Sequence, residues 1–375
     1  MADREQRAAL TGLPDGVDMQ DPLARRFAGP DADVGARATE REGSYRDIVV
    51  IGASAGGVQT LDQVVERLPP ELPASLFVVL HLASGGHSVL PTILTRAGRL
   101  PATVPGETER PERGRIYVAP PDRHMLLLGP DVRLTGGPRE NGHRPAIDPL
   151  FRSAARTYGP RVIAVVLSGT LDDGSAGAGM VRDRGGFVIA QDPEDAVYPD
   201  MPRNCIESAG ADAVLPSALI PDKICELLEE QLSEEAPPVE DLEQQEENEL
   251  IEAQFAVNGS PTELACPDCG GALWERDEGD LVRFGCRVGH VYSPESLVAE
   301  HGKALEQALW AALRGLEERA DLYRRMARRA QVSGRVTTER RFGARSEAAE
   351  RHATAIRDAI AKLTASGDLA ADEAL

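Results

Sequence analysis

Between Asp47 and about Glu230 short apolar runs alternate with stretches of helical spacing, and this alternation restricts the possible folds more than any other feature of the chain. Ile48–Ile51, Leu76–Leu80, Arg161–Leu167 and Phe187–Ala190 are rich in Val, Ile and Leu, as strands buried on both faces are. Helical spacing recurs over Val58–Leu68, Ile147–Thr157, Ser175–Arg184 and Ala218–Leu232. The pattern predicts an α/β domain with a mostly parallel sheet covered by helices on both faces. Shorter runs at Arg115–Ala119, Met125–Leu128 and Val132–Leu134, with turns at Pro120-Pro121-Asp122 and Gly129-Pro130, predict an antiparallel addition at one edge. Ligands of such a sheet gather beyond the carboxyl ends of its parallel strands.

Three polar residues fall at those ends. The first strand runs into Ile51-Gly52-Ala53-Ser54-Ala55-Gly56-Gly57, a G-x-S-x-G spelling in which small neighbours let the backbone turn sharply and expose a serine hydroxyl. The same seven residues would equally suit a phosphate cradle at a helix N-terminus. His81 follows the second strand, where a neutral histidine capping a strand end is the plain alternative. Asp172-Asp173 follow Val166-Leu167 through Ser168-Gly169-Thr170-Leu171; one of them serves as a helix N-cap and Asp173, next to Gly174, is the candidate acid. Ser54, His81 and Asp173 on neighbouring turns are candidates for a Ser-His-Asp triad. Their order along the chain differs from that of α/β-hydrolases.

With these residues stand further blocks: Tyr117-Val118-Ala119-Pro120 with Asp122-Arg123-His124-Met125, His143-Arg144-Pro145 with Asp148 and Leu150-Phe151, Leu167-Ser168-Gly169 with Gly174, Gly177 and Met180, Ala190-Gln191, and Met201-Pro202-Arg203. In this order they resemble the chemotaxis protein-glutamate methylesterase catalytic domain family, over about residues 46–230. The resemblance implies a doubly wound α/β domain that hydrolyses γ-glutamyl methyl esters on methylated chemoreceptors or receptor-like proteins, with glutamine deamidation as a companion activity. It implies Ser54 as nucleophile, His81 as base and Asp173 as orienting acid, with no cofactor for catalysis. Thr170 resembles the position whose backbone N–H holds the oxyanion, and Met201 and Arg203 fall nearest the substrate rim. Arg123 and Arg144 are further rim cations, with ion-pair anchoring as the alternative.

Two departures from the family pattern stand out. Thr170-Leu171 replaces the usual Met-Gly, and a turn needing positive φ would be strained by leucine. The first 45 residues are polar and too few for the receiver domain that commonly precedes the family's catalytic unit, so the segment reads as a disordered tail on a stand-alone enzyme. Two rival readings stay open: a receptor-binding scaffold that has lost turnover, and a hydrolase of another carboxyl ester or amide.

The net charge of −20 is unevenly spread. No Lys or Arg occurs from Ile224 to Glu275, and twelve acidic residues lie between Glu226 and Glu252. Residues 231–260 therefore read as an acidic linker, in which Glu240 to Phe255 has helical potential. So acidic a chain argues against nucleic acid as a partner, since phosphates would be repelled. No apolar run is long enough to span a membrane and no signal peptide precedes the domain, which points to the cytoplasm.

The five cysteines agree, because an odd number with three clustered suits a metal site rather than a disulfide framework. Cys266, Cys269, Cys286 and His290 form C-x2-C-x16-C-x3-H, a donor set that closes a tetrahedral structural zinc site; a redox C-x-x-C would leave Cys286 and His290 unexplained. Residues 261–293 are thus expected to form a small zinc ribbon. Over 294–366 an N-cap Ser293, Pro294 and an apolar stripe of Leu297, Leu305, Leu309, Ala312, Leu316, Ala320 and Tyr323 predict a helix, and after Ser333-Gly334 a second one through Ala349, Ile356, Ile360 and Leu363. This α-helical hairpin, followed by a tail over 367–375, is a candidate for self-association or docking. It carries fourteen Lys or Arg against ten Asp or Glu between Glu295 and Thr364.

Overall fold

The apolar runs become strands that neighbouring helices bury from both sides. The computed structural model describes residues 45–81, 88–232, 259–278 and 281–366. The expected N-terminal tail, the Glu240 to Phe255 helix and the last residues lie outside the described residues.

In chain order the first domain comprises β1 (Ile48–Ala53), α1 (Gly57–Glu66), β2 (Ser75–Leu80), α2 (Leu90–Ala97), β3 (Ala102–Thr103), β4 (Thr108–Glu109), β5 (Arg115–Val118), β6 (His124–Leu128) and β7 (Asp131–Thr135). It continues with α3 (Ile147–Tyr158), β8 (Val162–Val166), α4 (Ser175–Asp183), β9 (Phe187–Gln191), α5 (Asp200–Asn204), β10 (Ala213–Leu215) and α6 (Ile220–Glu229). Seven strands form one sheet in the order β10-β9-β8-β1-β2-β5-β3, every pair parallel. The chain starts at β1, goes out to one side through β2 and returns to the other side through β8, so the order reverses at the centre.

β1, β2 and β8 are buried along their whole length. Alternate residues face opposite layers: Val49, Ile51, Leu76 and Val78 meet Leu61, Val64 and Ile224. Ile48, Val50, Phe77 and Val79 meet Leu150, Phe151 and Val181 on the other side. Each such side chain removed from water contributes about 1.5–3 kcal/mol, enough in sum to hold the strand ends rigidly.

The antiparallel strands are present, with a difference. β4, β7 and β6 make a separate three-stranded sheet, while β5, expected among them, is a parallel strand inside the main sheet. Ile116, Tyr117 and Val118 are all buried there, and a strand covered on both faces has no solvent side to offer an antiparallel edge.

The C-terminal elements are β11 (Ser260–Ala265), β12 (Ala272–Glu278), β13 (Leu281–Cys286) and β14 (Val291–Tyr292) in one antiparallel sheet, then α7 (Pro294–Val332) and α8 (Val336–Ser366). Ser293 caps α7 by accepting from the Ser296 N–H at 3.0 Å, and Gly334 turns the chain with φ 65°. The hairpin seam joins Leu309, Leu313 and Leu316 to Ala353, Ile356 and Ile360. Leu305, expected in the stripe, is 49% exposed, and Ala312 yields its place to Leu313. Over so long a helix a fixed stripe drifts around the axis, and the position of the partner decides which residues stay covered. No helix among the described residues is long and apolar enough to cross a membrane.

Candidate active site and metal centre

β8, β1 and β2 are neighbours at the point where strand order reverses, and each presents one polar residue beyond its carboxyl end. Gly56, at φ 71°, turns the chain from Ser54 into α1; a Cβ there would lie 2.9 Å from Ser168 Oγ. The elbow is braced from behind, since Ser54 N donates to Ser168 O at 2.9 Å and Ser168 Oγ donates to Ala55 O at 2.8 Å. Gln191 Oε1 in turn accepts from Ser168 N. Ser54 Oγ lies 3.1 Å from His81 Nδ1, and His81 Nε2 lies 2.7 Å from Asp173 Oδ2. With Nε2–H donating to the carboxylate, the Nδ1 lone pair faces the serine hydroxyl.

Asp173 is 2% exposed. Burial alone would raise its pKa, but the hydrogen bond and charge of His81, and the Ile147 N–H, hold it well below the usual carboxylate range. Its Oδ2 accepts from Ile147 N at 2.7 Å, and its Oδ1 from Asp148 N at 3.2 Å and Asn141 Nδ2 at 2.9 Å. Ile147 and Asp148 open α3, so the acid also caps a helix N-terminus, where negative charge is favoured.

Three contributors were not assigned roles from sequence. His143 stacks on His81 with ring centroids 3.7 Å apart and planes 9° apart; burial, and then the charge of His81, push its pKa well below the ordinary histidine value. A neutral ring thus covers the His81 imidazole and limits its rotation. Asn141, at φ 53°, ties Asp173 to Asp148. Gly169 abuts Ser54: a Cβ there would lie 2.8 Å from Ser54 Cβ and 2.7 Å from Met201 Sδ. The sequence signal for His143 and Gly169 was their place in the motif blocks; Asn141 lay outside those blocks.

Of the rim candidates, Thr170 is exposed and Arg203 is 45% exposed, 3.4 Å from Asp200. Met201 differs from expectation, because it is fully buried beneath Gly169 and acts as packing, not rim. Arg144 donates to Gly137 O at 2.7 Å and Arg123 lies 3.5 Å from Glu107, so both are engaged locally. Asp148 is wholly buried and accepts from Gly174 N and Gly177 N; it anchors the loop and does not face a substrate.

A family model described as CheB methylesterase matches residues 49–224. This segment belongs to the CheB methylesterase family. Proteins named protein-glutamate methylesterase/protein-glutamine glutaminase are similar to it. That of Methanosarcina mazei is 37% identical over 193 residues, covering 49% of this chain and 53% of its own. That of Thermotoga maritima is 38% identical over 185 residues, covering 48% and 54%. The crystal structure of the Thermotoga maritima CheB methylesterase catalytic domain aligns with a TM-score of 0.47 at 38% identity, covering 48% of this chain and 98% of that one. The chain spans about half the length of the curated relatives it matches.

Within the methylesterase domain Leu171 takes φ 62°. The left-handed turn is therefore kept although its glycine is not, at a cost of about 1 kcal/mol. Asn204 Nδ2 helps hold it by donating to Leu171 O at 2.9 Å. Because the backbone already has the required shape, Leu171→Gly is expected to raise stability by up to about 1 kcal/mol while changing kcat less than threefold. A tenfold rise in kcat, measured beside thermal unfolding, would show instead that leucine distorts the turn.

Next to Asp173, burial raises Asp172 to a pKa of about 6, partly offset by the hydroxyls of Ser293 and Ser296, which donate to its Oδ1 at 2.7 and 3.0 Å. A carboxyl whose folded pKa lies above its unfolded value contributes stability in full below the unfolded value, near pH 4, and loses it as pH rises through about 6. Asp172→Asn keeps the acceptor oxygen and removes the ionisation. Unfolding followed from pH 4 to pH 7 is expected to lose that slope; an unchanged slope would place the titration elsewhere.

The metal-ligand candidates also converge. The donor atoms of Cys266, Cys269, Cys286 and His290 all lie within 4.8 Å of one another. Cys269 Sγ and Cys286 Sγ are 3.6 Å apart, and His290 Nδ1 is 3.5 Å from Cys286 Sγ and 3.6 Å from Cys266 Sγ. Tetrahedral Zn–S bonds of about 2.3 Å separate sulfurs by about 3.8 Å, so the cluster fits that ion. Two turns bring the donors together: Gly270, at φ 70°, donates to Cys266 O, and Gly289, at φ 101°, to Cys286 O. These four residues can hold a metal ion.

Proposed function

We propose that the chain hydrolyses γ-glutamyl methyl esters on methylated chemoreceptor-like proteins in the cytoplasm, and deamidates glutamine at equivalent positions. The observation that carries the proposal is the unbroken chain from Ser54 Oγ to His81 to a buried, ionised Asp173 at the strand-order switch point, inside a segment of the methylesterase family. Ser54 attacks the ester carbonyl while its proton passes to His81 Nδ1. Asp173 stabilises the imidazolium. The backbone N–H of Thr170 is assigned to the oxyanion from its place in the family motif, next to Gly169, whose Cα packs against Ser54. His81 then protonates the methoxide oxygen as it departs, giving methanol, and water, losing its proton to His81, attacks the acyl-enzyme to release glutamate and restore Ser54. Ammonia takes methanol's place when the substrate is glutamine.

In the same proposal, zinc held by Cys266, Cys269, Cys286 and His290 is structural. Three thiolates and an imidazole complete a tetrahedron and leave no coordination position for a substrate. The helical hairpin is the docking or self-association element. Methanol release by the full chain from a methylated chemoreceptor cytoplasmic domain tests the reading; no release with receptor binding intact would overturn it.

A further inference from the structure

The metal-binding module reaches into the wall behind the triad through one residue. Arg283 on β13 is 3% exposed. Its Nη2 lies 2.6 Å from Asp148 Oδ2 and 3.3 Å from Glu140 Oε1, and its Nη1 lies 3.3 Å from Asn141 Oδ1. Asp148 Oδ2 also accepts from Asn141 Nδ2 at 3.0 Å, and the same amide nitrogen donates to Asp173 Oδ1 at 2.9 Å. A continuous path thus runs from a residue of the ribbon to the acid of the triad. The module is fastened along this path by backbone as well: Asn141 N donates to Val291 O at 2.7 Å, and Ser293 N to Asn141 Oδ1 at 3.0 Å.

We infer that Arg283 is a positioning residue of the methylesterase site, supplying from the metal-binding module the counter-charge to the paired carboxylates of Asp148 and Asp173 behind His81. Asp148 is wholly buried. Among the described residues of the catalytic domain, its hydrogen-bond donors are neutral amides, those of Gly174, Gly177 and Asn141. Burial raises its pKa, and the charge of Arg283 is the largest influence in the opposite direction. Two like charges joined through one amide repel, and truncating one partner of a buried ion pair leaves the other uncompensated.

The local charge balance makes the point quantitative. Asp148, Asp173 and Glu140 face Arg283 and Arg152, the latter paired with Glu140 at 2.8 and 3.0 Å. Among these five, three negative charges against two positive leave one in excess, which the imidazolium formed by His81 during turnover neutralises; Glu278 and Arg276 beside them cancel, and Asp172 adds to the excess once ionised. Without Arg283 the excess becomes two. The protonated imidazole is then over-stabilised, and Asp148 is driven to take a proton or move, pulling Asn141 from Asp173. Of the other charged or titratable neighbours, Glu278, 3.9 Å from Arg283 Nε, keeps Arg276 as its partner, and Asp172 beside Asp173 loses the attraction of Arg283 as Asp148 does. His124 beside Glu140, His143 stacked on His81, and Lys303 and Arg139 acting on His143 keep their contacts.

The inference rests on the reading of Ser54, His81 and Asp173 as an acyl-transfer triad, so the test uses two readouts on the full chain. One is methanol release from a methylated receptor domain; the other is labelling of Ser54 by a fluorophosphonate, which needs an activated serine but no receptor. Arg283→Met is expected to retain bound metal, to lower kcat and the labelling rate about 30- to 100-fold with KM within threefold, and to move the acid limb of the kcat/KM–pH profile up by about one pH unit. Arg283→Lys, which keeps the charge, should stay within tenfold of wild type, with the limb within half a unit. Arg283→Met/Asp148→Asn restores the charge balance and should label about tenfold faster than Arg283→Met alone. Should Arg283→Met fail to fold, the double variant decides, and its failure to fold or to label would overturn the inference. So would wild-type rates and an unmoved pH profile in Arg283→Met. A wild-type chain that labels but releases no methanol sinks the receptor-esterase reading and leaves Arg283 tested by labelling; one that does neither overturns both.

Discussion

Replacing Ser54 with alanine is expected to lower methanol release by at least about 10⁴-fold while leaving receptor affinity within twofold. The size of the loss follows from the way the parts act as a unit: without the hydroxyl, His81 has no proton to accept and the acyl-enzyme cannot form, so only the residual help of substrate binding and the oxyanion donor survives. Affinity should persist because the substitution removes one oxygen from a partly exposed elbow, and the Ser54 N–H bond to Ser168 O that holds the turn is a main-chain bond. Single-turnover methanol release, read beside binding of the methylated receptor domain, measures both. A loss below about tenfold would mean that water attacks the ester directly, with His81 as its base, and that Ser54 is not the nucleophile.

Metal removal is expected to be nearly as large an effect, on stability. The ribbon's buried apolar cluster is small, comprising Leu273, Tyr292 and Leu297 with Cys266 and Cys286. So little core does not offset the entropy of ordering about 30 residues, whereas structural zinc supplies about 10–16 kcal/mol in finger peptides of similar donor set. The full chain should carry one equivalent of zinc. Strong chelation, or Cys286→Ser, should open residues 259–292 to protease, while the catalytic domain, with its own two hydrophobic layers, stays resistant. Metal analysis, limited proteolysis and circular dichroism report this without reference to turnover. Resistance unchanged after complete metal loss would show that docking on Asn141 and Asp148 suffices to hold the module. Because opening the ribbon withdraws Arg283 from Asp148, labelling of Ser54 should fall along with protease resistance.

Much of the architecture was legible because burial on both faces leaves a compositional mark. Val/Ile/Leu runs such as Leu76–Leu80 have few alternatives to a central parallel strand. The residues just beyond β1, β2 and β8 could be singled out for the same reason, since strand ends in such a sheet are where side chains meet ligands. Leu171 was legible as a problem, and φ 62° is its resolution. Metal ligands announce themselves through spacing alone, because a tetrahedral ion dictates it. β5 escaped, since a short run between turns reads alike whether its neighbours are parallel or antiparallel. Leu305 and Met201 were misplaced because exposure depends on what packs opposite, which no local pattern records.

By itself, then, the sequence determined the kinds of element, the elbow carrying Ser54, the metal-ligand set and the methylesterase motifs, all of which rest on local geometry or on residue chemistry at fixed spacing. Only the tertiary structure decided that β8, β1 and β2 are adjacent, that His143 lies on His81, and that Arg283 reaches Asp148 across 135 positions of chain. The physical reason is the same in each case. Charge pairing and ring stacking act over a few ångströms, and which groups come that close is set by how the layers pack, not by their separation along the chain.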